Sequence, residues 1–306
     1  MTTIDQIVLI FFKSPYDNWI KNINDITKIK TQYINIEPTG EHIQTKKIFY
    51  KKNIFSKHDK HIINFSNIIS QNDKNIYVPL SINQQYFYDG SIIKHKFCGN
   101  NKEHIDIFNQ KCLFAQFLIN NELLNLIPKT YAVNCSNKIL HYDNIQFPCI
   151  IKKNISEGGA HVVIVHNQKM LEICEKKYSD YIIQEFIINE DKTEYTCNFY
   201  IDKGEIITSV YYKDNSVRET LFHIQHGGLC NKKKMNDMNK YNNDFEKIFK
   251  KLNYTGFACI DFTLIDNKIK IFEINPRLGG TLVTDPIDFE IFLIEILNMF
   301  IDKKYI

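Results

Sequence analysis

Residues 256–280 read GFACIDFTLIDNKIKIFEINPRLGG, and this stretch decides the fold. Two apolar runs, 257–265 and 268–275, flank a polar break, the pattern of a β-hairpin. Asp261 interrupts the first run, and Glu273 and Asn275 interrupt the second. A buried, unpaired carboxylate is costly or shifts its pKa until it is neutral. Two of them on adjacent strands therefore require a partner, and a divalent cation supplies one. Hard oxygen ligands suit Mg²⁺, which keeps waters and bridges substrate phosphates. A three-residue loop, Asp266 to Lys268, would set Asp261 opposite Glu273 with Asn275 on the same face. A two-residue loop would pair Asp261 with Phe272 and send Glu273 to the other face. The metal reading thus predicts an odd-numbered loop. An ordinary half-exposed hairpin competes with it until the following residues are added. Pro276 ends the strand, Arg277 brings a rigid fork of donors, and Gly279-Gly280 lets backbone approach a ligand closely.

Upstream, Pro148 to Lys153 (PCIIKK) is a strand ending in two lysines. Asn154 to Gly159 (NISEGG) follows, then a returning strand, HVVIV. The turn around Gly158-Gly159 offers backbone N–H groups to phosphate oxygens, with Lys152 or Lys153 adding charge. It lacks the spacing of the Walker loop and opens no helix. Tyr181 to Ile187 (YIIQEFI) is an apolar strand whose end, Gln184 to Ile187, suits an adenine ring. Such a ring needs apolar walls with one backbone donor and one acceptor. Glu194 stands at the start of the next strand, within reach of ribose hydroxyls. Taken singly, these are also ordinary hairpins and a surface glutamate.

The bulk numbers set the class. With 306 residues, 44% hydrophobic, the chain is too apolar for a disordered protein and long enough for one large or two modest domains. A net charge of +3 gives no reason to expect nucleic-acid binding, and the lysine clusters (46–60 and 232–234) read as solvated faces. Eight cysteines without a C-x-x-C spacing point to free thiols in a reducing, cytoplasmic compartment. No stretch reaches the roughly 18 apolar residues of a membrane span. There are 11 glycines, and six of them form three pairs: Gly158-Gly159, Gly227-Gly228 and Gly279-Gly280. Element by element, an α/β unit with strands at 5–12 and 75–80 and a helix at 15–30 precedes a helix over 103–126. Strand-like runs cover 147–213, a helix covers 240–252, and a closing helix covers 288–301. The resulting division is an N-terminal domain, 1–103, and a second domain, 104–306. The second splits into a strand-rich lobe of about 130–187 and a larger lobe of about 188–306.

Taken in order, Asn109-Gln110-Lys111, Pro148 to Lys152, Gly158-Gly159, Gln184-Glu185-Phe186-Ile187, Glu194, Asp261 and Glu273-Ile274-Asn275-Pro276-Arg277 resemble the ATP-grasp superfamily. The resemblance spans roughly residues 75–300. The final run is its most specific part, close to carbamoyl-phosphate synthetase-like and biotin-carboxylase-like members. It implies an α/β and α+β architecture: a Rossmann-like N-terminal lobe, then two α+β lobes clamping ATP. It implies Lys111 and Lys152 on the phosphates, Glu185 to Ile187 on adenine, and Glu194 on the ribose. Asp261, Glu273 and Asn275 would hold one or two Mg²⁺ or Mn²⁺ ions, and Arg277 the transferred phosphoryl group. The chain departs from the family at Lys153, where proline is frequent, and at His161, where glycine is common. The segment between Phe186 and Glu194 is longer than usual and brings in Glu190 and Asp191. The implied chemistry is a carboxylate activated as an acyl phosphate and joined to an amine or thiol. Arg218 would clamp a carboxylate, and His226 would hydrogen-bond the substrate or accept the amine proton. Small-molecule or peptide acids and amines would be the partners, and a homodimer is the family's frequent state. A bicarbonate-using carboxylase and a non-catalytic nucleotide sensor are the alternatives.

Overall fold

The computed structural model describes residues 6–11, 30–35, 48–51, 60–63, 75–79, 100–136, 138–156, 161–187, 193–214, 232–283 and 285–302. The first five of these segments form one sheet, β1 (Gln6–Phe11), β2 (Lys30–Asn35), β3 (Ile48–Lys51), β4 (Lys60–Ile63) and β5 (Asn75–Pro79), in the order β4-β3-β2-β1-β5. β1 runs parallel to both β2 and β5, as an α/β unit requires. The strands expected at 5–12 and 75–80 are both there. Residues 12–29, where a helix was expected, lie outside the described residues.

A second, antiparallel sheet has the order β7-β6-β10-β8-β9. Its strands are β6 (Thr130–Cys135), β7 (Lys138–His141), β8 (Cys149–Lys153), β9 (Val162–Val165) and β10 (Tyr181–Glu185). A third, also antiparallel, runs β13-β12-β11-β14-β15. It comprises β11 (Tyr195–Asp202), β12 (Glu205–Asp214), β13 (Lys232–Met235), β14 (Gly256–Ile265) and β15 (Lys268–Asn275). Period-2 alternation divides this sheet into two faces. Cys197, Phe199, Ile260, Phe262, Ile271 and Ile274 join one large core. Thr196, Asn198, Asp261, Glu273 and Asn275 therefore share the opposite face. Both faces of β11 are covered, so polar residues inside it need specific partners.

The helix expected over 103–126 is broken. It forms α1 (Lys102–Asn109), α2 (Lys111–Asn120) and a short 3-10 turn, Leu124–Leu126. Gln110 between the helices is extended. The break leaves the first N–H groups of α2 without intrahelical partners, and Asn154 supplies them. Its carbonyl accepts from Lys111 N at 3.2 Å, and its Oδ1 accepts from Cys112 N at 2.9 Å. Lys111 thus becomes the first helical residue, anchored to the loop after β8.

Helix α3 (Gln168–Lys177) covers the second sheet, and α4 (Asn242–Leu252) covers the core face of the third. After a four-residue turn of helix, α5 (Gly280–Val283), the chain closes with α6 (Pro286–Asp302), in place of the expected 288–301. A buried carboxylate pins α6 to β12 and β13. Asp288 pairs with Lys234 and accepts from the Tyr212 hydroxyl at 3.0 Å. Lys234→Met leaves Asp288 buried with half its partners, and we expect a loss of about 2 kcal/mol, read as a lower urea midpoint. No helix among the described residues is long and apolar enough to cross a membrane.

Candidate active site

The decisive hairpin reaches the expected pairing by an unexpected route. Its loop has two residues, since Ile265 pairs with Lys268. Asp266 and Asn267 adopt φ of 50° and 59°, the left-handed conformation that two-residue hairpin turns need. The predicted three-residue loop is therefore wrong. A bulge restores the register: Phe262 pairs with Ile271, but Asp261 pairs with Glu273. Phe272 is the extra residue. A bulge of this kind turns two successive side chains to one side, and Phe272 and Glu273 both face the second sheet. Asn275, opposite Cys259, shares that face. Thr196 sits across from Asp261 on β11 and its hydroxyl donates to Asp261 Oδ1 at 2.6 Å. Asn275 Nδ2 donates to Glu273 Oε1 at 3.1 Å.

Two lysines close on this face. Lys111 Nζ lies 3.5 Å from Glu273 Oε2 and donates to Ser156 Oγ at 3.2 Å. On β8, Cys149 and Ile151 join the core beneath α3, whereas Ile150 and Lys152 point towards the hairpin. Of the two candidate strand lysines, Lys152 is thus the one directed inward. It is 4% exposed, with Nζ 3.5 Å from the Phe272 carbonyl and 5.6 Å from the centre of its ring. Burial and the Lys111 charge lower its pKa to about 8, against the pull of Glu273 and Glu194. Glu273 behaves oppositely. Burial pushes its pKa up, but Lys111, the Asn275 amide, Lys152 and Arg277 outweigh this and hold it below the usual carboxylate value.

An apolar cluster lies beside the lysines. Ile150 and Ile187 pack there with Val162, Phe186, Ile265 and Phe272. Lys111, Ser156, Gln184, Phe272, Glu273 and Asn275 line a cleft between the two sheets. Gln184 is buried, and its amide donates to Thr130 Oγ1 at 3.1 Å. Glu185 exchanges two bonds with Lys129: its N–H donates to the Lys129 carbonyl and its carboxylate accepts from Lys129 N, both at 2.8 Å. The Glu185 N–H is therefore already engaged. Glu194 leads into β11, and its charge acts on Lys152. His161, standing where glycine is common in the family, adopts φ of 64° and so carries the strain a glycine would avoid.

The chain after the hairpin is tightly held. Arg277 donates to the Leu278 carbonyl at 3.0 Å, and Gly279 N donates to Asn198 Oδ1 at 2.6 Å. A Cβ on Gly279 would fall 2.5 Å from Cys259 Sγ and 2.8 Å from Asn198 Oδ1. At Gly280, by contrast, an added Cβ would meet nothing within 4 Å among the described residues. Only the first glycine of this pair is sterically obligatory. Gly158, Gly159, Glu190, Asp191, Arg218, His226 and the Gly227-Gly228 pair lie outside the described residues. Of the expected residues that are described, Lys111, Lys152, Glu273 and Asn275 come together, with Asp261 directly across the ladder from Glu273. Lys153 sits at the strand's end, half-buried. Asn154, Ser156 and Thr196 are additions. In a chain this rich in asparagine, nothing marked Asn154, and Ser156 and Thr196 carry no local signal.

A family profile described as the ATP-grasp domain matches residues 108–281, more than half of the chain. The protein belongs to the ATP-grasp family. Solved structures agree in fold. D-alanine–D-alanine ligase from Coxiella burnetii superposes with a TM-score of 0.61 at 13% identity, covering 99% of this chain and 95% of its own. Phosphoribosylamine–glycine ligase from Thermotoga maritima gives 0.60 at 13%, covering 92% and 72%. L-amino acid ligase from Bacillus licheniformis gives 0.59 at 13%, covering 92% and 70%. At such identities the likeness is one of fold. A search of curated protein sequences finds no match. Within the ATP-grasp frame, the second and third sheets are the two α+β lobes, and the cleft between them is where the lysines meet the hairpin.

Proposed function

We propose that this ATP-grasp protein is an ADP-forming ligase that activates a carboxylate as an acyl phosphate and joins it to an amine or thiol. The observation that carries the reading is the inward pair Lys111 and Lys152 around an ionised Glu273, on the face that also holds Asp261 and Asn275. Lys152 is a buried ammonium whose only acceptor among the described residues is a carbonyl at the 3.5 Å limit. Such a group asks for an anion, and a polyphosphate provides one. Asp261, Glu273 and Asn275 form a hard oxygen set that fits Mg²⁺ or Mn²⁺; the ion, when bound, neutralises phosphate charge.

In this reading adenine lies against the apolar cluster, Phe186 and Ile187 supply its backbone contacts, and Glu194 takes the ribose. Gly158 and Gly159 cover the phosphates. A substrate carboxylate oxygen attacks the γ-phosphorus, the bond to ADP breaks, and Lys111, Lys152 and Arg277 spread the charge. The nucleophile then adds to the acyl carbon, phosphate leaves, and the nucleophile's proton goes to a base, for which His226 is the candidate. Arg218 steadies the acid. Catalysis is positioning and electrostatics, so no covalent protein nucleophile is required. The reading carries with it domain boundaries near 103 and 187 and a cytoplasmic setting, in keeping with the six free cysteines among the described residues.

Purified protein supplied with MgATP and pools of carboxylates with amines or thiols is expected to release ADP and phosphate. Release of AMP and pyrophosphate rejects the mechanism. ATP binding without turnover in every pool, bicarbonate included, favours a non-catalytic module.

A further inference from the structure

Lys232 opens edge strand β13 on the same face as the carboxylates, and two hydroxyls hold its ammonium. Nζ donates to Thr196 Oγ1 at 3.1 Å and to Thr281 Oγ1 at 3.0 Å. Thr196 in turn donates to Asp261 Oδ1. One hydroxyl therefore links Lys232 to the expected metal position. Two residues along the strand, Lys234 is neutralised by Asp288. Lys232 has no such partner: Asp214 stands opposite it in the ladder, yet among the described residues Lys232 makes no ion pair. An ammonium carries three donors, and two neutral acceptors leave its charge and one N–H unmatched. Thr281 follows Gly280, and among the described residues nothing lies within 4 Å of where a Gly280 Cβ would be. The pattern is a half-buried cation pre-oriented by neutral hydroxyls.

We infer that Lys232 is the anchor of the acid substrate, binding the carboxylate that receives the phosphoryl group. The inference rests on the ligase reading and adds to it the residue that selects an anionic substrate. The position fits the task. A carboxylate bound there lies one hydroxyl away from Asp261 and at the Gly279-Gly280 end of the hairpin. The neutral hydroxyls leave the lysine's full charge for the substrate, where a carboxylate partner would have cancelled it. Thr196 and Thr281 act as positioning residues, because they fix Nζ without touching the acid.

The test uses acetate as the carboxylate probe and inorganic phosphate as a stand-in for the transferred group. Each is titrated by NMR into wild type and K232M, with and without MgADP. The expected result is acetate binding to wild type that weakens at least about tenfold in K232M. K232R should recover part of the loss, T281V should give an intermediate loss, and MgADP affinity should stay within about twofold. Equal acetate affinity in wild type and K232M, or no acetate binding to wild type, overturns the assignment. A loss confined to inorganic phosphate overturns it as well and moves Lys232 to the phosphoryl group. Failure to bind MgADP rejects the ligase reading separately, since the nucleotide-free acetate comparison still decides Lys232.

Discussion

Glu273→Gln is expected to lower ATP turnover by roughly 1,000-fold, the scale of losing one preorganised electrostatic contact to the reacting phosphate. The substitution keeps the shape of the side chain and its place on β15. It removes the charge that faces Lys111 at 3.5 Å and supports the protonated form of Lys152. Two further effects follow. The Mg²⁺ concentration needed for half-maximal activity rises, because an amide oxygen is a poorer ligand than a carboxylate. The pKa of Lys152 falls below its value of about 8, so nucleotide affinity at pH 7 also drops. Steady-state kinetics at several Mg²⁺ concentrations separates the two. A variant with wild-type turnover would refute the assignment of Glu273 as a metal ligand.

Lys152→Met is expected to weaken MgATP binding by roughly 50-fold at pH 7, the equivalent of one charge-assisted hydrogen bond of about 2–3 kcal/mol. Its pH dependence makes the assignment specific. In the free protein Lys152 gives up its proton near pH 8, and a bound phosphate holds that proton more tightly. Wild-type affinity should therefore be level below about pH 8 and fall above it, by up to about tenfold per pH unit. The variant should lack this slope, so the two proteins converge at high pH. Stability without nucleotide runs the other way. The unfolded chain keeps a lysine proton up to about pH 10.5 while the native site loses it near 8, so Lys152 adds stability as pH rises between those values. Calorimetric titration at pH 7, 8 and 9 reads the first effect, and an unchanged slope in the variant would count against Lys152.

The strands that carry these residues are legible in the sequence, because apolar runs and turn residues mark them. FACIDFTLI and KIKIFEIN are both strands, and Asp202 to Glu205 is the hairpin turn between β11 and β12. The inward lysine is not legible. Residues 149–152 of β8 are all buried, so no apolar–polar alternation tells Lys152 from Lys153. The break at Gln110 is hidden for a related reason: α2 is stabilised at its start by Asn154, 42 and 43 positions from the two residues it caps, and local periodicity runs straight through the gap. Lys232 sits in a run of three lysines, KKK, that reads as a solvated face. Its character comes from Thr196 and Thr281, which only the fold brings to it.

The bulge at Phe272 has a consequence for how this hairpin tolerates change in length. β15 is one residue longer than the ladder it forms, and that residue is Phe272. Its deletion would leave every other side chain of the hairpin on the face it already occupies, with Asp261 still opposite Glu273. A single deletion in the turn, between Ile265 and Lys268, has no such refuge, because the two-residue turn is already minimal. Over evolutionary time the aromatic side chain at this position can thus be lost without moving the carboxylates. A lineage can drop the ring in one step and keep Asp261 and Glu273 in register.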